Sequence, residues 1–238
     1  MAGRVQPGRS VEKEPAGRET GAMIRVYLLV EGQTEETFVN ELLQPHYADK
    51  GLDLTPIVVS TSPGHRGGVV RYAKVKPQIE RLCKQHARAC VSTMFDLYAL
   101  PKDFPGKSNR DFPGAANGRC KAEFLEEKLA ADIGQHNFIA HLQVHEFETL
   151  LFTRIEDFKP WVDDDSMLAP LRAVRETTAP EDINDSPQTA PSERILAAMP
   201  GYRKILHGSL IACAIGLHPI RAACPHFDHW LQKIEGLA

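Results

Sequence analysis

At 238 residues, with 42% hydrophobic and 25% charged positions, the chain has the composition of a globular protein of one large domain or two small ones. Its 28 basic and 31 acidic residues leave a formal charge of -3, which excludes a general polyanion-binding character. Five cysteines without a Cys-x-x-Cys pair exclude a disulfide-rich secreted scaffold and fit dispersed thiols in a reducing cytoplasm.

Residues 1–22 mix Gly, Pro, Arg and Glu without periodicity and read as a disordered leader or extension, lacking the charged-then-apolar pattern of a secretory signal. Order is expected to begin after Met23, where Ile24-Arg25-Val26-Tyr27-Leu28-Leu29-Val30 reads as a buried strand. Glu31-Gly32-Gln33 supplies a turn, Thr34 a helix cap, and Phe38/Leu42 with Val39/Leu43 an apolar stripe that ends or bends at Pro45. A short strand is expected over 57–60. A flexible loop through Ser62-Pro63-Gly64-His65-Arg66-Gly67-Gly68 follows, then a helix from Pro77 to about Arg88 with Pro77 in its first turn.

Val91-Ser92-Thr93-Met94-Phe95-Asp96 is the next clear strand. Residues 101–118 form a Pro/Gly/Asn-rich insertion of the kind used for binding loops and lids. A helix over about 121–133, a strand over 138–144 and a helix opening at Glu146 complete an α/β pattern, a mostly parallel sheet flanked by helices with right-handed crossovers. Beyond Trp161 the pattern becomes loop-rich. Ser192 reads as the cap of a helix over 193–199, and the apolar stretch 205–215 gives a helical C-terminal elaboration. The partition is therefore an extension over 1–22, an α/β core over 23–160 and a mainly helical subdomain over 161–238. The longest apolar run near the C-terminus, 210–217, is far too short to cross a bilayer, so no membrane association is expected. Oligomeric state has no signature in the sequence.

The chemistry concentrates at strand ends. Glu31 follows the first strand and Glu35 enters the next helix; Asp96 ends the third strand; Glu146 and Glu148 follow the strand over 138–144. Side chains outside the carboxyl ends of parallel strands converge on a ligand crevice. Such carboxylates suit Mg²⁺ or Mn²⁺, hard ions that prefer oxygen ligands and can polarise a phosphodiester. His145 is placed to orient a ligand or transfer a proton, or to serve as a structural hydrogen-bonding group.

Thirteen basic residues against seven acidic ones between 61 and 128 point to a basic face beside this acidic centre, with Arg66, Lys102 and Arg110 as phosphate contacts. Arg203 and Lys204 join them from the C-terminal region. The Gly64–Gly68 loop lacks the spacing and the Lys-Ser/Thr end of a P-loop. Cys213, His218, Cys224, His226 and His229 match no zinc-finger or His-Glu-x-x-His spacing and read as buried thiols and core or surface histidines.

Five segments together resemble a known family: Val30-Glu31-Gly32-Gln33-Thr34-Glu35, Met94-Phe95-Asp96-Leu97-Tyr98, His145 to Phe152, Glu181-Asp182-Ile183-Asn184-Asp185, and Tyr202 to Gly208. Across residues 23–238 the chain looks like the TOPRIM-like bacterial proteins of the DUF4276 family. The resemblance implies a TOPRIM core, in which a glutamate after the first strand and an Asp-x-Asp pair after a later one bind divalent metal and act on phosphodiesters. Glu31 carries over to the glutamate and Asp96 to the first aspartate. Tyr98 stands where the second aspartate is expected, which leaves Asp103, Glu146 or Glu148 to complete the set. Bacterial defence loci with an adjacent ATPase partner are implied as the setting. Two functions follow: a Mg²⁺- or Mn²⁺-dependent nuclease, with Glu31, Asp96 and Glu148 catalytic, or a non-catalytic nucleic-acid-binding or regulatory subunit of an ATPase-containing assembly.

Overall fold

The structure, a computed structural model, describes residues 23–62, 65–66, 71–98, 100–183, 186 and 188–238. The expectations for residues 1–22, for most of the Gly64–Gly68 loop and for the Asn184-Asp185 end of one motif lie outside these residues.

Strand β1 (Ile24–Val30) lies between β2 (Leu52–Val58) and β5 (Cys90–Asp96), parallel to both. A short antiparallel hairpin, β3 (Ser60–Ser62) and β4 (His65–Arg66), follows β2. The strand expected over 138–144 forms as two pieces, β6 (Phe138–Ile139) and β7 (Leu142–Gln143), both parallel to β5. The order β2-β1-β5-β6 puts the last five residues of β1, and all of β5, in the buried centre, which is why both read as nearly unbroken apolar runs.

Alternation along β1 sorts the core into two layers. Val26, Leu28 and Val30 face a cluster that includes Phe38, Phe147, Ile211 and Trp230, whereas Tyr27 and Leu29 face one built with Val75, Ile79, Leu125 and Leu129. The first layer is made by α1 (Gln33–Phe38), α2 (Gln44–Ala48) and the C-terminal helices. The second is made by α3 (Tyr72–Gln85) and α4 (Gly118–Ile133).

After β7 the described elements are helical: 3₁₀ turns that include Phe147–Thr153 and Ile155–Trp161, then α5 (Ala169–Thr177), α6 (Pro191–Ala198), α7 (Ser209–Ile215), α8 (Leu217–Ala223) and α9 (Pro225–Glu235). These helices share one apolar cluster with β1 and β5. Trp230 of α9 donates its indole N–H to Ser92 Oγ on β5 (2.9 Å), and Ser92 in turn donates to the Ile139 carbonyl (2.6 Å). Among the described residues no single helix is long and apolar enough to cross a membrane.

Local expectations are corrected at four helices. Thr34 does not cap α1: Gly32 occupies that position, and the Glu35 carboxylate reaches back to the Gly32 N–H (3.0 Å). Pro45 does not end the segment, because a π-helical turn over Val39–Leu43 resets the register and places the proline in the first turn of α2, where its missing N–H costs nothing. Helix α3 starts at Tyr72, before Pro77, because the Asp103 carboxylate accepts the N–H groups of Tyr72 (3.1 Å) and Ala73 (3.2 Å). Ser192 does not cap α6; its own N–H is capped by Glu146 Oε1 at 2.6 Å.

Candidate functional site

The carboxyl ends of β1 and β5 meet through one bond: Glu31 Oε1 accepts the Asp96 N–H at 2.8 Å. The chain beyond β7 runs on beside β5, with Leu97 N–H on the Gln143 carbonyl (3.0 Å) and Tyr98 N–H on that of His145 (2.8 Å). His145 adopts a positive φ of 60°, a conformation that costs a non-glycine residue about 1 kcal/mol or more and reverses the chain toward Glu146 and Glu148. The Thr149 hydroxyl steadies that turn through the Val144 carbonyl (2.9 Å).

Lys204 closes the arrangement. Its ammonium lies 3.0 Å from Asp96 Oδ2, 3.3 Å from Glu148 Oε2 and 3.4 Å from Glu35 Oε1. It enters on a π-helical turn, Lys204–Gly208, which packs closely on α1 and the 3₁₀ turn. A Cβ on Gly208 would stand 3.0 Å from the Tyr202 hydroxyl and 3.3 Å from Thr34 Cγ2, so only glycine allows that approach without a shift. Tyr202 donates its hydroxyl to Glu148 Oε1 at 3.1 Å.

The electrostatics of this centre are those of crowded carboxylates around too little positive charge. Burial, together with the Asp96 charge, pushes the Glu31 carboxyl up to about 8. Burial likewise raises Glu148 to about 7, against the pull of Lys204. Burial raises Glu35 and Glu146 as well. The Lys204 ammonium is disfavoured by its own burial, but Asp96, Glu148 and Glu35 outweigh that and hold it protonated well above the ordinary range. Glu35 Oε1 and Glu148 Oε2 are buried without a hydrogen-bond partner, each with Lys204 as its nearby cation. Oxygen donors of this kind fit a hard divalent cation.

Five of the residues singled out in the sequence are thus brought together: Glu31, Asp96, Glu35, Glu148 and Lys204, the last as a partner of the carboxylates rather than as a free phosphate contact. Asp103 is not among them, since both its oxygens cap α3. Glu146 adjoins the centre, but one of its oxygens holds the start of α6. His145 is buried, with Nε2 3.0 Å from the Glu181 carbonyl. Lys102, Arg110 and Arg203 are exposed, and the Arg66 side chain lies outside the described residues. Tyr98, where the resemblance expects a second aspartate, is 42% exposed.

A family model described as a domain of unknown function, DUF4276, matches residues 30–235. The chain belongs to the DUF4276 family. No curated protein and no solved structure matches it.

The DUF4276 chain carries a second constellation that sequence spacing did not disclose. Glu126 of α4, His141 between β6 and β7, and His226 at the start of α9 bring candidate ligand atoms within 4.8 Å of one another, a cluster capable of coordinating a metal ion. Glu126 Oε1 lies 2.9 Å from His226 Nε2 and 3.4 Å from His141 Nδ1 and accepts the Leu142 N–H at 2.8 Å. In the sequence His226 groups with Cys213, His218, Cys224 and His229 as a core or surface histidine. Its actual companions come from 85 and 100 residues earlier, so no local motif could show them. The one available signal was a histidine in the middle of an apolar strand pattern, His141.

Proposed function

We propose that this chain is a divalent-metal-dependent nuclease whose chemistry is centred on Asp96, acting in the cytoplasm as part of a bacterial defence assembly with an ATPase partner. One observation carries the reading: carboxylates from α1, β5 and the turn after β7 converge on Lys204, with Glu31 beyond β1 bonded to the Asp96 N–H beside them, the kind of arrangement the TOPRIM resemblance calls for despite Tyr98. Asp96, Glu31, Glu35 and Glu148 would hold Mg²⁺ or Mn²⁺, which when bound supplies Lewis-acid activation of a phosphodiester. Burial raises the Glu148 carboxyl to about 7, and a bound divalent cation would displace that proton and hold the group as a carboxylate ligand. Lys204, on a flexible stem, has the charge to pair with a phosphate oxygen once another cation neutralises the carboxylates. The five cysteines, all free thiols, accord with a reducing compartment.

The test is Mn²⁺ binding by calorimetry, comparing the wild type with folded Glu31→Gln and Asp96→Asn, followed by cleavage assays on DNA and RNA with and without an ATPase. Saturable binding lost in both variants, and cleavage lost with it, is the expected result. A second reading, a non-catalytic regulatory subunit that engages nucleic acid and an ATPase, is favoured by Lys204, which already gives the cluster a countercharge from within the chain. A folded wild type that binds no Mn²⁺ at millimolar concentration and cuts nothing would overturn the nuclease and select the subunit.

A further inference from the structure

The geometry points to a zinc site at Glu126, His141 and His226, separate from the acidic centre and independent of the nuclease reading. Two imidazoles and one carboxylate form the donor set that holds zinc with a coordination position left open, whereas the oxygen-only centre at Asp96 suits magnesium or manganese. Ligand atoms on a common tetrahedral zinc stand roughly 3.3 Å apart. The observed separations of 2.9 and 3.4 Å from Glu126 Oε1 already match that spacing.

Each ligand is fixed by groups of its own. His141 is fully enclosed, its ring stacked at 4.3 Å and 5° on Trp230, and the imidazole of His226 lies 5.3 Å away at 25°. Trp230 is itself tied to Ser92, so the His141 plane is set by the sheet. Glu126 is oriented by the Leu142 N–H, and His226 by Glu181, whose buried carboxylate accepts the N–H groups of His226 (3.0 Å) and Phe227 (3.0 Å). Groups that orient ligands in this way are a regular part of metal sites.

Neither ring nitrogen of His141 makes a well-formed hydrogen bond: Nε2 is buried without a partner, and Nδ1 has only Glu126 Oε1 at 3.4 Å. A buried imidazole normally satisfies its donor and acceptor, so this is a deficit that coordination at Nδ1 would relieve. The three residues also line a cavity of about 420 Å³, whose other walls include Glu123, Glu127, His229 and Lys233. An ion at the three ligands would present its open position to that cavity, where water or a small anionic ligand has room.

Co²⁺ is the probe, since a mixed nitrogen–oxygen, low-coordinate site gives it visible absorption that an oxygen-only site with several waters does not match in intensity. The wild type is expected to bind one Co²⁺ with such bands in the presence of excess Mg²⁺, and Zn²⁺ is expected to displace it. His141→Gln and His226→Gln, each checked for folding by circular dichroism, should weaken Zn²⁺ binding at least tenfold, while Asp96→Asn leaves it unchanged. The wild-type spectrum stands as a test even where a variant fails to fold. Absence of Co²⁺ bands in folded wild type at millimolar metal, or unchanged Zn²⁺ affinity in folded histidine variants, would overturn the site. Loss of the Zn²⁺ signal in Asp96→Asn alone would assign it to the acidic centre and overturn it equally.

Discussion

Replacing Lys204 by methionine keeps the length of the side chain and removes the one cation within 3.5 Å of Asp96, Glu35 and Glu148 among the contacts described. With Lys204 36% exposed, water-like screening is the appropriate discount. At that screening each contact of 3.0–3.4 Å contributes about 1.3 kcal/mol, about 4 kcal/mol for the three. Methionine pays about the same ordering entropy as lysine, but relief of the ammonium's partial desolvation offsets about 2 kcal/mol, which leaves a net loss of about 2 kcal/mol at pH 8. For a chain of this size that is a fall in Tm of roughly 4–8 °C.

The loss depends on pH with a definite sign. Glu31 and Glu148 have carboxyls raised to about 8 and about 7, above their unfolded values, so their contribution is favourable when protonated and is lost as pH rises through that window. Without Lys204 both rise further. The variant therefore suffers most at pH 8, whereas at pH 5 both carboxyls are protonated in either protein and the difference shrinks to below about 1 kcal/mol. Urea denaturation at pH 5 and pH 8 measures this directly, and saturating Mn²⁺ at pH 8 should restore part of the loss. Equal destabilisation at both pH values, or none at pH 8, would refute the account of Lys204 as the countercharge of the carboxylates.

Other substitutions separate the roles of neighbouring groups. Glu31→Gln keeps an oxygen for the Asp96 N–H but removes the crowded charge, so in metal-free buffer it should be about 1 kcal/mol more stable than wild type at pH 9 and indistinguishable at pH 5, by urea midpoints. Asp103→Ala removes the carboxylate at the start of α3 and should cost about 1 kcal/mol in thermal or chemical melts while leaving Mn²⁺ calorimetry unchanged; a change in Mn²⁺ affinity would return Asp103 to the metal centre. Trp230→Phe loses the indole bond to Ser92 in a dry setting and should cost about 1–2 kcal/mol, with faster amide exchange at the α9–β5 contact.

What the sequence determined by itself follows from period and composition. The apolar, β-branched-rich runs of β1 and β5 announced central parallel strands, and the acids ending or following them announced a crevice at the carboxyl ends, because strand direction fixes where such residues emerge. Boundaries fared worse wherever a capping partner came from far along the chain. Asp103 caps α3 from 31 residues away and Glu146 caps α6 from 46 away, so neither capping partner could be read locally.

Tertiary structure alone decided which charges meet. Lys204, 108 residues beyond Asp96, becomes the partner of three carboxylates because the C-terminal helices fold onto the same apolar layer as β1 and bring the Gly208 turn against α1. The same docking sets His226 beside Glu126 and His141, 100 and 85 residues away in sequence. Burial of apolar surface drives these encounters without regard to sequence distance. The ionic chemistry of both sites is therefore a product of how the layers pack.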